Sequence, residues 1–336
     1  MTYSIFAIDA IALSPSGCSA YTYTLNGFLP YLRAPYFQMS EQAVDDPALN
    51  GNTNPAFPFL TGHGGANQVF PMGFLGLRTD QSVLFINPGL PPQIPHLRTR
   101  IIHYAGARLT ASLNSTHTLL TRLPPEEGTI DSYANTTLPF SVGIPGSPST
   151  NYEITVNQTV TIPNNRSSWN LTYPGNLLQC LPVTSPDAYA PGQFPEAAID
   201  GATATRWQPA TNESASILVN MTTGAPRPIS GMFFDWGTRP PLNATFYISN
   251  TTDSSGDLSG TGAYVKVLDI TPDLPYNATA AAASSQQVQP VTGNTTTVAI
   301  NDAPWSGKYV KLVIEGCWEG DGVGATVGEF VVIGDS

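Results

Sequence analysis

Charge is scarce in this 336-residue chain. Asp, Glu, Lys and Arg together supply 11% of it, with 13 basic against 24 acidic side chains and a formal net charge of -11. Phosphate backbones and anionic lipid headgroups are bound by basic surfaces. The balance therefore excludes nucleic acid as a partner, and also an electrostatic hold on membranes. A neutral ligand such as a sugar stays open. Long apolar runs are absent as well, and nothing approaches the roughly 18 residues that a membrane span requires. The N-terminus lacks a basic start: Met1 to Leu13 is apolar but carries Asp9 in its middle, so it reads as a helix inside a domain and not as a signal peptide. Histidine is rare too, and His96, His103 and His117 show no metal-ligand spacing.

What is abundant points to strands and turns. Hydrophobic residues reach 41%, with Pro 31 and Gly 30, a composition that favours short strands over long helices. Eleven Asn-x-Ser/Thr sequons occur, at Asn114, Asn135, Asn157, Asn165, Asn170, Asn212, Asn220, Asn243, Asn250, Asn277 and Asn294. Roughly four are expected by chance at this Ser and Thr content. None precedes Asn114, although that stretch holds six Asn. The pattern predicts a glycosylated exterior beyond that point and a first region whose surface must stay clear. An exported chain without a secretion signal implies a missing N-terminal part. Of the three cysteines, Cys180 and Cys317 bracket the last region, where a bridge would remove loop-closure entropy worth a few kcal/mol; two unpaired buried thiols are the alternative. Cys18 is left over for a partner elsewhere.

Three textures divide the chain. Residues 1 to about 90 hold helix-compatible stretches, Tyr3 to Leu13 and Gln68 to Leu77, joined by aromatic loops carrying Tyr31, Tyr36, Phe37, Phe57 and Phe59. From 91 to 177 the period changes to short mixed runs, Arg98 to Tyr104 and Leu109 to Leu113. Tyr152 to Ile162 alternates as one strand of a β-sandwich. From 178 to 336, seven short runs are spaced as in a second sandwich: Ser216 to Asn220, Gly231 to Asp235, Ala244 to Ile248, Tyr264 to Leu268, Thr296 to Ile300, Tyr309 to Ile314 and Phe330 to Ile333. Asn250 to Gly262 and Thr279 to Pro290 are of low complexity and read as solvated loops.

The run Asn54-Pro-Ala-Phe-Pro-Phe-Leu-Thr-Gly-His-Gly-Gly-Ala-Asn-Gln68 is similar to a stretch of fungal acid trehalases of glycoside hydrolase family 65. So are Tyr36-Phe-Gln-Met-Ser-Glu-Gln42, Gly73-Phe-Leu-Gly-Leu-Arg78 and Asn87 to His96. This resemblance covers nearly all of residues 1 to about 120. It implies the C-terminal helices and loops of an (α/α)6 barrel in 1–90, followed by a small β-sandwich in 91–177. Separately, Ala197-Ala-Ile-Asp-Gly-Ala-Thr-Ala-Thr-Arg-Trp207 resembles the signature of discoidin, or coagulation-factor C-type, domains, as do Gly307 to Ile314 and Gly328 to Val332. That implies a discoidin-like (galactose-binding-like) β-sandwich in 178–336.

The family resemblance implies hydrolysis of the α,α-1,1 bond of trehalose, or of another α-glucoside, with inversion. Inversion needs one carboxyl to protonate the leaving oxygen and a second to activate water across the sugar. Glu41, in an aromatic and charge-poor loop, is the residue expected to act as base; Asp45 and Asp46 are its local rivals, and a capping or salt-bridged role is the alternative. The family's general acid lies earlier in the barrel, where nothing in this chain matches, so the chain by itself is expected to be inactive. The loop after Glu41, Asn50-Gly-Asn-Thr-Asn-Pro55, and Tyr36 before Phe37 depart from the family pattern. Thr61 to Gln68 reads as a Gly-rich turn opening a helix, from which His63 and Gln68 would bond sugar hydroxyls; tight turning and a backbone-satisfied His is the plainer reading. Asp200, Thr205 and Glu329 resemble the structural Ca²⁺ site of sugar-binding discoidin domains, and hard oxygen ligands suit that ion. A tight Asp-Gly turn over a buried Trp207 is the alternative there. Trp207, Trp305 and Trp318 are candidates to stack on a sugar. The expected location is extracellular, in the cell wall, or vacuolar. A non-catalytic carbohydrate-binding or cell-wall protein, taking a cell-wall glycan as partner, is the competing reading.

Overall fold

The computed structural model describes residues 2–165, 169–222, 227–251, 264–272, 294–300 and 305–334. The chain divides into two compact units, Met1–Asn170 and Leu171–Ser336. Strands predominate and helices are few.

The first unit opens with α1 (Thr2–Leu13) and α2 (Cys18–Phe28), followed by a two-stranded ribbon, β1 (Leu32–Arg33) with β2 (Gln38–Met39). Ser4, Ala7, Ile8 and Ile11 form the buried stripe of α1, spaced as helical periodicity requires. The Gly-rich stretch is not a turn before a helix: it lies within α3 (Leu60–Asn67). Gly62 has a packing reason there, since a Cβ at that position would sit 2.7 Å from the Phe59 ring. The stretch from Gln68 is helical only as one wide turn, Val69–Phe74, whose hydrogen bonds skip five residues.

Two sheets complete this unit. One carries β10 (Thr159–Pro163), β7 (His117–Leu123), β6 (Ala107–Asn114) and β4 (His96–Arg98) side by side, with β5 (Ile102–Tyr104) also on β6. The other orders β3 (Leu84–Ile86), β8 (Leu138–Val142) and β9 (Thr150–Ile154), β3 running parallel to β8. Alternate residues of β6 (Leu109, Ala111, Leu113) meet Leu84, Ile86, Leu138, Phe140 and Ile154 of the facing sheet, together with Ala7 and Ile11 of α1, in one core. The helical segment and the first sandwich thus pack as a single unit. Tyr152 to Ile162 is not one strand. It changes sheets through a turn in which Asn157 takes φ 67° and the Gln158 side chain accepts the Thr155 N–H at 2.8 Å. Arg122 of β7 is buried in this core, its guanidinium donating to the carbonyls of Ile154 (2.8 Å), Ala134 (3.3 Å) and Tyr133.

The second unit is a two-sheet sandwich. Its larger sheet orders β11 (Val183–Thr184), β12 (Ala215–Asn220), β17 (Tyr309–Glu315), β14 (Asn243–Ser249) and β15 (Val265–Ile270); the smaller orders β16 (Thr295–Ala299), β13 (Ile229–Asp235) and β18 (Glu329–Gly334). All seven expected runs are strands. Phe246, Leu312 and Ile217 of one sheet enclose Phe234, Phe330 and Trp236 of the other, and the Phe234 ring stacks on Trp236 at 4.7 Å. Both low-complexity runs fall largely outside the described residues. The expected Cys180–Cys317 bridge is absent. Cys317 is a free thiol buried in the apolar core, where it packs as a small hydrophobe, whereas Cys18 and Cys180 are both disulfide-bonded.

Candidate functional site

In the first unit, Glu41 follows β2 in a loop laid against residues 54–59. Its N–H donates to the Ala56 carbonyl (3.1 Å) and its Oε2 accepts the Ala56 N–H (2.9 Å). The side chain is exposed, and Oε1 has no hydrogen-bond partner among the described residues. Arg33 fixes the rest of the loop, reaching Asp45 Oδ2 (2.5 Å), Asp45 Oδ1 (3.0 Å), and the carbonyls of Gln42 (2.8 Å) and Ala43 (3.1 Å). Hydrogen bonds from Arg33 first, then from Ser40, hold the Asp45 carboxyl below its ordinary range. Asp45 is thus an ionised structural residue. Asp46 accepts the Ala48 N–H at 2.9 Å, as a turn cap does.

His63 lies on α3 and turns back to β2, its Nε2 accepting the Met39 N–H at 2.9 Å. That bond requires the proton on Nδ1. Gln68 is exposed just past α3. Between these elements lies a cavity of about 20 Å³, lined by Ser4, Tyr31, Met39, Ser40, Glu41 and Phe59, which is room for about one water. Tyr36, Phe37 and Phe57, in the flanking loop segments, stand exposed.

In the second unit, a one-turn helix at Pro195–Ala198 leads into Asp200 and Gly201, the latter at φ 77°. Asp200 Oδ1 accepts the Ala202 N–H (2.9 Å), and the Thr205 hydroxyl contacts both Asp200 oxygens at 2.9 Å and the Ala202 carbonyl at 2.8 Å. Glu329, the first residue of β18, is completely buried, and neither of its carboxylate oxygens has a hydrogen-bond partner among the described residues. Desolvation above all, then the charge of Asp200, pushes Glu329 well above the ordinary Glu range; the nearby Gly201 and Ala202 amides oppose this without well-formed hydrogen bonds, and Asp235 adds to it. Two buried carboxylates thus face each other, with one hydroxyl beside them. Asp235, the register partner of Glu329 on β13, escaped the sequence reading, because one Asp at a strand end carries no local signal. Next to this cluster a cavity of about 370 Å³ is lined by Thr203, Arg206, Asp235, Thr238, Asn294 and Thr295. Trp207 is fully buried and Trp305 half-buried, while Trp318 remains exposed on the loop after β17.

These features define a modular protein: a first unit that mounts a loop-borne glutamate on a helix-faced sandwich, and a second that is a β-sandwich with a buried acidic cluster. No family model matches the chain. By sequence it is similar to fungal acid trehalases over nearly its whole length. It is 40% identical to the acid trehalase of Emericella nidulans across 99% of this chain, and 40% identical to the cell wall acid trehalase of Arthroderma benhamiae across all of it. The cell wall acid trehalase of Candida albicans is 30% identical over 72% of this chain. The chain spans about a third of the length of the first two, 33% and 34%. Among solved structures, a chitosan-binding module of a Paenibacillus sp. IK-5 chitosanase/glucanase, in complex with chitotriose, is 20% identical over 47% of this chain and 100% of the module, at TM-score 0.35.

Proposed function

We propose that this chain forms part of an exported acid-trehalase-type glycoside hydrolase, to which it contributes the residue that activates water. The 40% identity to acid trehalase across 99% of the chain carries this reading. In it, the helices of residues 1–90 belong to an (α/α)6 barrel. The composition of α1 supports that: apart from Asp9 the helix is apolar around most of its circumference, as a helix meant to be surrounded is, yet Ile5 (49% exposed) and Phe6 (44%) face outward. Export accords with relatives named for the cell wall, the periplasm or secretion.

Glu41 is the general base. Its Oε2 is anchored by the Ala56 amide, so Oε1 is left to accept a proton from a water attacking the anomeric carbon of trehalose, with inversion. His63, its Nε2 engaged, offers Nδ1–H to a glucose hydroxyl, and the Gln68 amide offers a second donor. The leaving glucose needs a proton from an acid about 6.5–9.5 Å away across the bond. Asp45 is held ionised by Arg33 and Asp46 caps a turn, so neither serves, and the acid must come from outside this loop. Chain 1–336 incubated with trehalose should therefore release no glucose. A chimera in which it replaces the matching third of the E. nidulans enzyme should be active, and Glu41→Gln in that chimera should abolish turnover while trehalose still binds. Full activity of the E41Q chimera would remove Glu41 from the mechanism.

In the second unit, a discoidin-like sandwich in this reading, Asp200, Thr205 and Glu329 form a structural Ca²⁺ site. The donor set fits: all are hard oxygens, two of them are buried without hydrogen-bond partners, and the local charge is negative. The ion would neutralise both carboxylates and tie the 200–205 loop to the start of β18.

A further inference from the structure

The guanidinium of Arg33 has no N–H left for a sugar. Its Nη1 donates to the carbonyls of Pro30 (2.9 Å) and Leu32 (3.3 Å), its Nη2 to those of Gln42 and Ala43 and to Asp45 Oδ1, and its Nε to Asp45 Oδ2. The Asp45 carboxylate is engaged at both oxygens as well. Its Oδ1 also accepts the Ser40 hydroxyl at 2.6 Å, and Ser40 is only 1% exposed. These contacts fall on both sides of one residue, since Ser40 precedes Glu41 while Gln42 and Ala43 follow it. Ser40 is tied to the ribbon by its own N–H, which donates to the Tyr31 carbonyl at 2.8 Å beside the rungs Leu32–Met39 and Arg33–Gln38. The backbone that carries Glu41 is therefore held by the ribbon, and its carboxylate by Ala56.

A loop folded back on itself needs donors for its carbonyls. Among the described residues, the carbonyls of Gln42 and Ala43 accept no hydrogen bond except those from Arg33. A guanidinium suits this place because it offers five N–H groups in one rigid plane together with a charge for Asp45. Lysine presents three donors from a single point and cannot span Pro30, Gln42, Ala43 and Asp45 at once.

We propose that Arg33, braced by Asp45 and Ser40, is the positioning residue of the base: it fixes Glu41 where Oε1 reaches the attacking water, and touches no substrate itself. This rests on the reading of Glu41 as the base. A base must lie within hydrogen-bond reach of the proton it takes, and a displacement of about 1 Å can cost about 10²-fold in rate. The sugar contacts are assigned to His63 and Gln68, neither of which bonds to Arg33. Loss of the clamp should therefore appear in kcat and leave KM nearly untouched.

The test joins kinetics of the E. nidulans chimera to amide hydrogen exchange of chain 1–336. In the chimera, R33A should lower kcat for trehalose about 10²-fold with KM held within about twofold. R33K should recover part of that loss, and D45N should fall between wild type and R33A. Asp46→Asn keeps an oxygen to cap its turn and should leave both constants unchanged. In the chain, the Ala56 amide bonded to Glu41 Oε2 should exchange faster in R33A than in wild type, with R33K between them, while the amides of β6 stay protected. Wild-type kcat in R33A beside a dead E41Q overturns this proposal alone. So does a loss carried by KM, or Ala56 exchange that R33A leaves unaltered. If R33A loses the β6 protection and so fails to fold, R33K and D45N decide on the same criteria. A chimera inactive with Glu41 intact, or active as E41Q, sinks the reading beneath it.

Discussion

Replacing Glu329 by Gln isolates the charge of a completely buried carboxyl while keeping its shape. In the folded chain this group is held above its ordinary range by desolvation and by the charge of Asp200; unfolded, it titrates as an ordinary Glu. Between those two values the folded chain keeps a proton that the unfolded chain has released. Without metal, stability is thus fully present below the ordinary Glu value and falls as pH rises toward the folded value. One proton sets the slope at about 1.4 kcal/mol per pH unit. For a domain of this size that is about 3–6 °C in Tm per pH unit. A bound Ca²⁺ takes the place of the proton and should remove the fall. Differential scanning calorimetry in EDTA and in excess Ca²⁺, from the ordinary Glu range to neutrality, reads all of this. Wild type in EDTA should lose Tm as pH rises, Ca²⁺ should restore it, and E329Q should flatten the EDTA profile and abolish the response to Ca²⁺. Identical EDTA profiles for wild type and E329Q would refute the electrostatic argument. A wild type indifferent to Ca²⁺ would refute the metal.

Arg122→Ala should destabilise the first unit by about 3–5 kcal/mol in urea unfolding, because it strips the buried carbonyls of Ile154, Ala134 and Tyr133 of their donor. Arg122→Lys should recover only part, since one ammonium does not reproduce the planar fork. Gly324→Ala would place a Cβ 2.1 Å from the Pro209 carbonyl oxygen, a backbone clash that should cost roughly 1–3 kcal/mol in the same assay. Thiol titration without reductant should count no reactive cysteine in the folded chain and one after denaturation, that of Cys317; a second thiol would contradict the disulfide assignment.

The strands of the second unit were legible by two signals: Tyr309 to Ile314 alternates in burial because one face meets the opposite layer, whereas β12 and β18 are short apolar runs buried on both faces. The first signal misled at Tyr152 to Ile162. There the alternation runs on through Thr155–Gln158, and only the tertiary structure decides that one half pairs with β8 and the other with β7. Glycine at 62 and 64–65 suggested a turn, but what keeps Gly62 inside α3 is the ring of Phe59, which no local rule foresees. Cysteine pairing was likewise hidden. Cys317 lies in the apolar core, and spacing cannot distinguish a bridge from a buried thiol. Asp200 and Thr205 are neighbours through a five-residue loop and were readable together. The approach of Glu329 to them depends on how β18 enters its sheet, so resemblance alone suggested it. Arg33, which holds the Glu41 loop, gave no signal at all, because its partners are mostly carbonyls.

Leu84–Ile86 joins its sheet as a parallel partner of β8, after the helices and before any other strand of that sandwich. The short stretch that leaves the helical layer is therefore an edge stave of the layer beneath it. A protease or an engineer cutting between the two textures near residue 90 would pull that stave out and bare the β8 backbone. Any attempt to graft this sandwich onto another enzyme must begin upstream of Leu84, and will carry some of the helical layer's chain along with it.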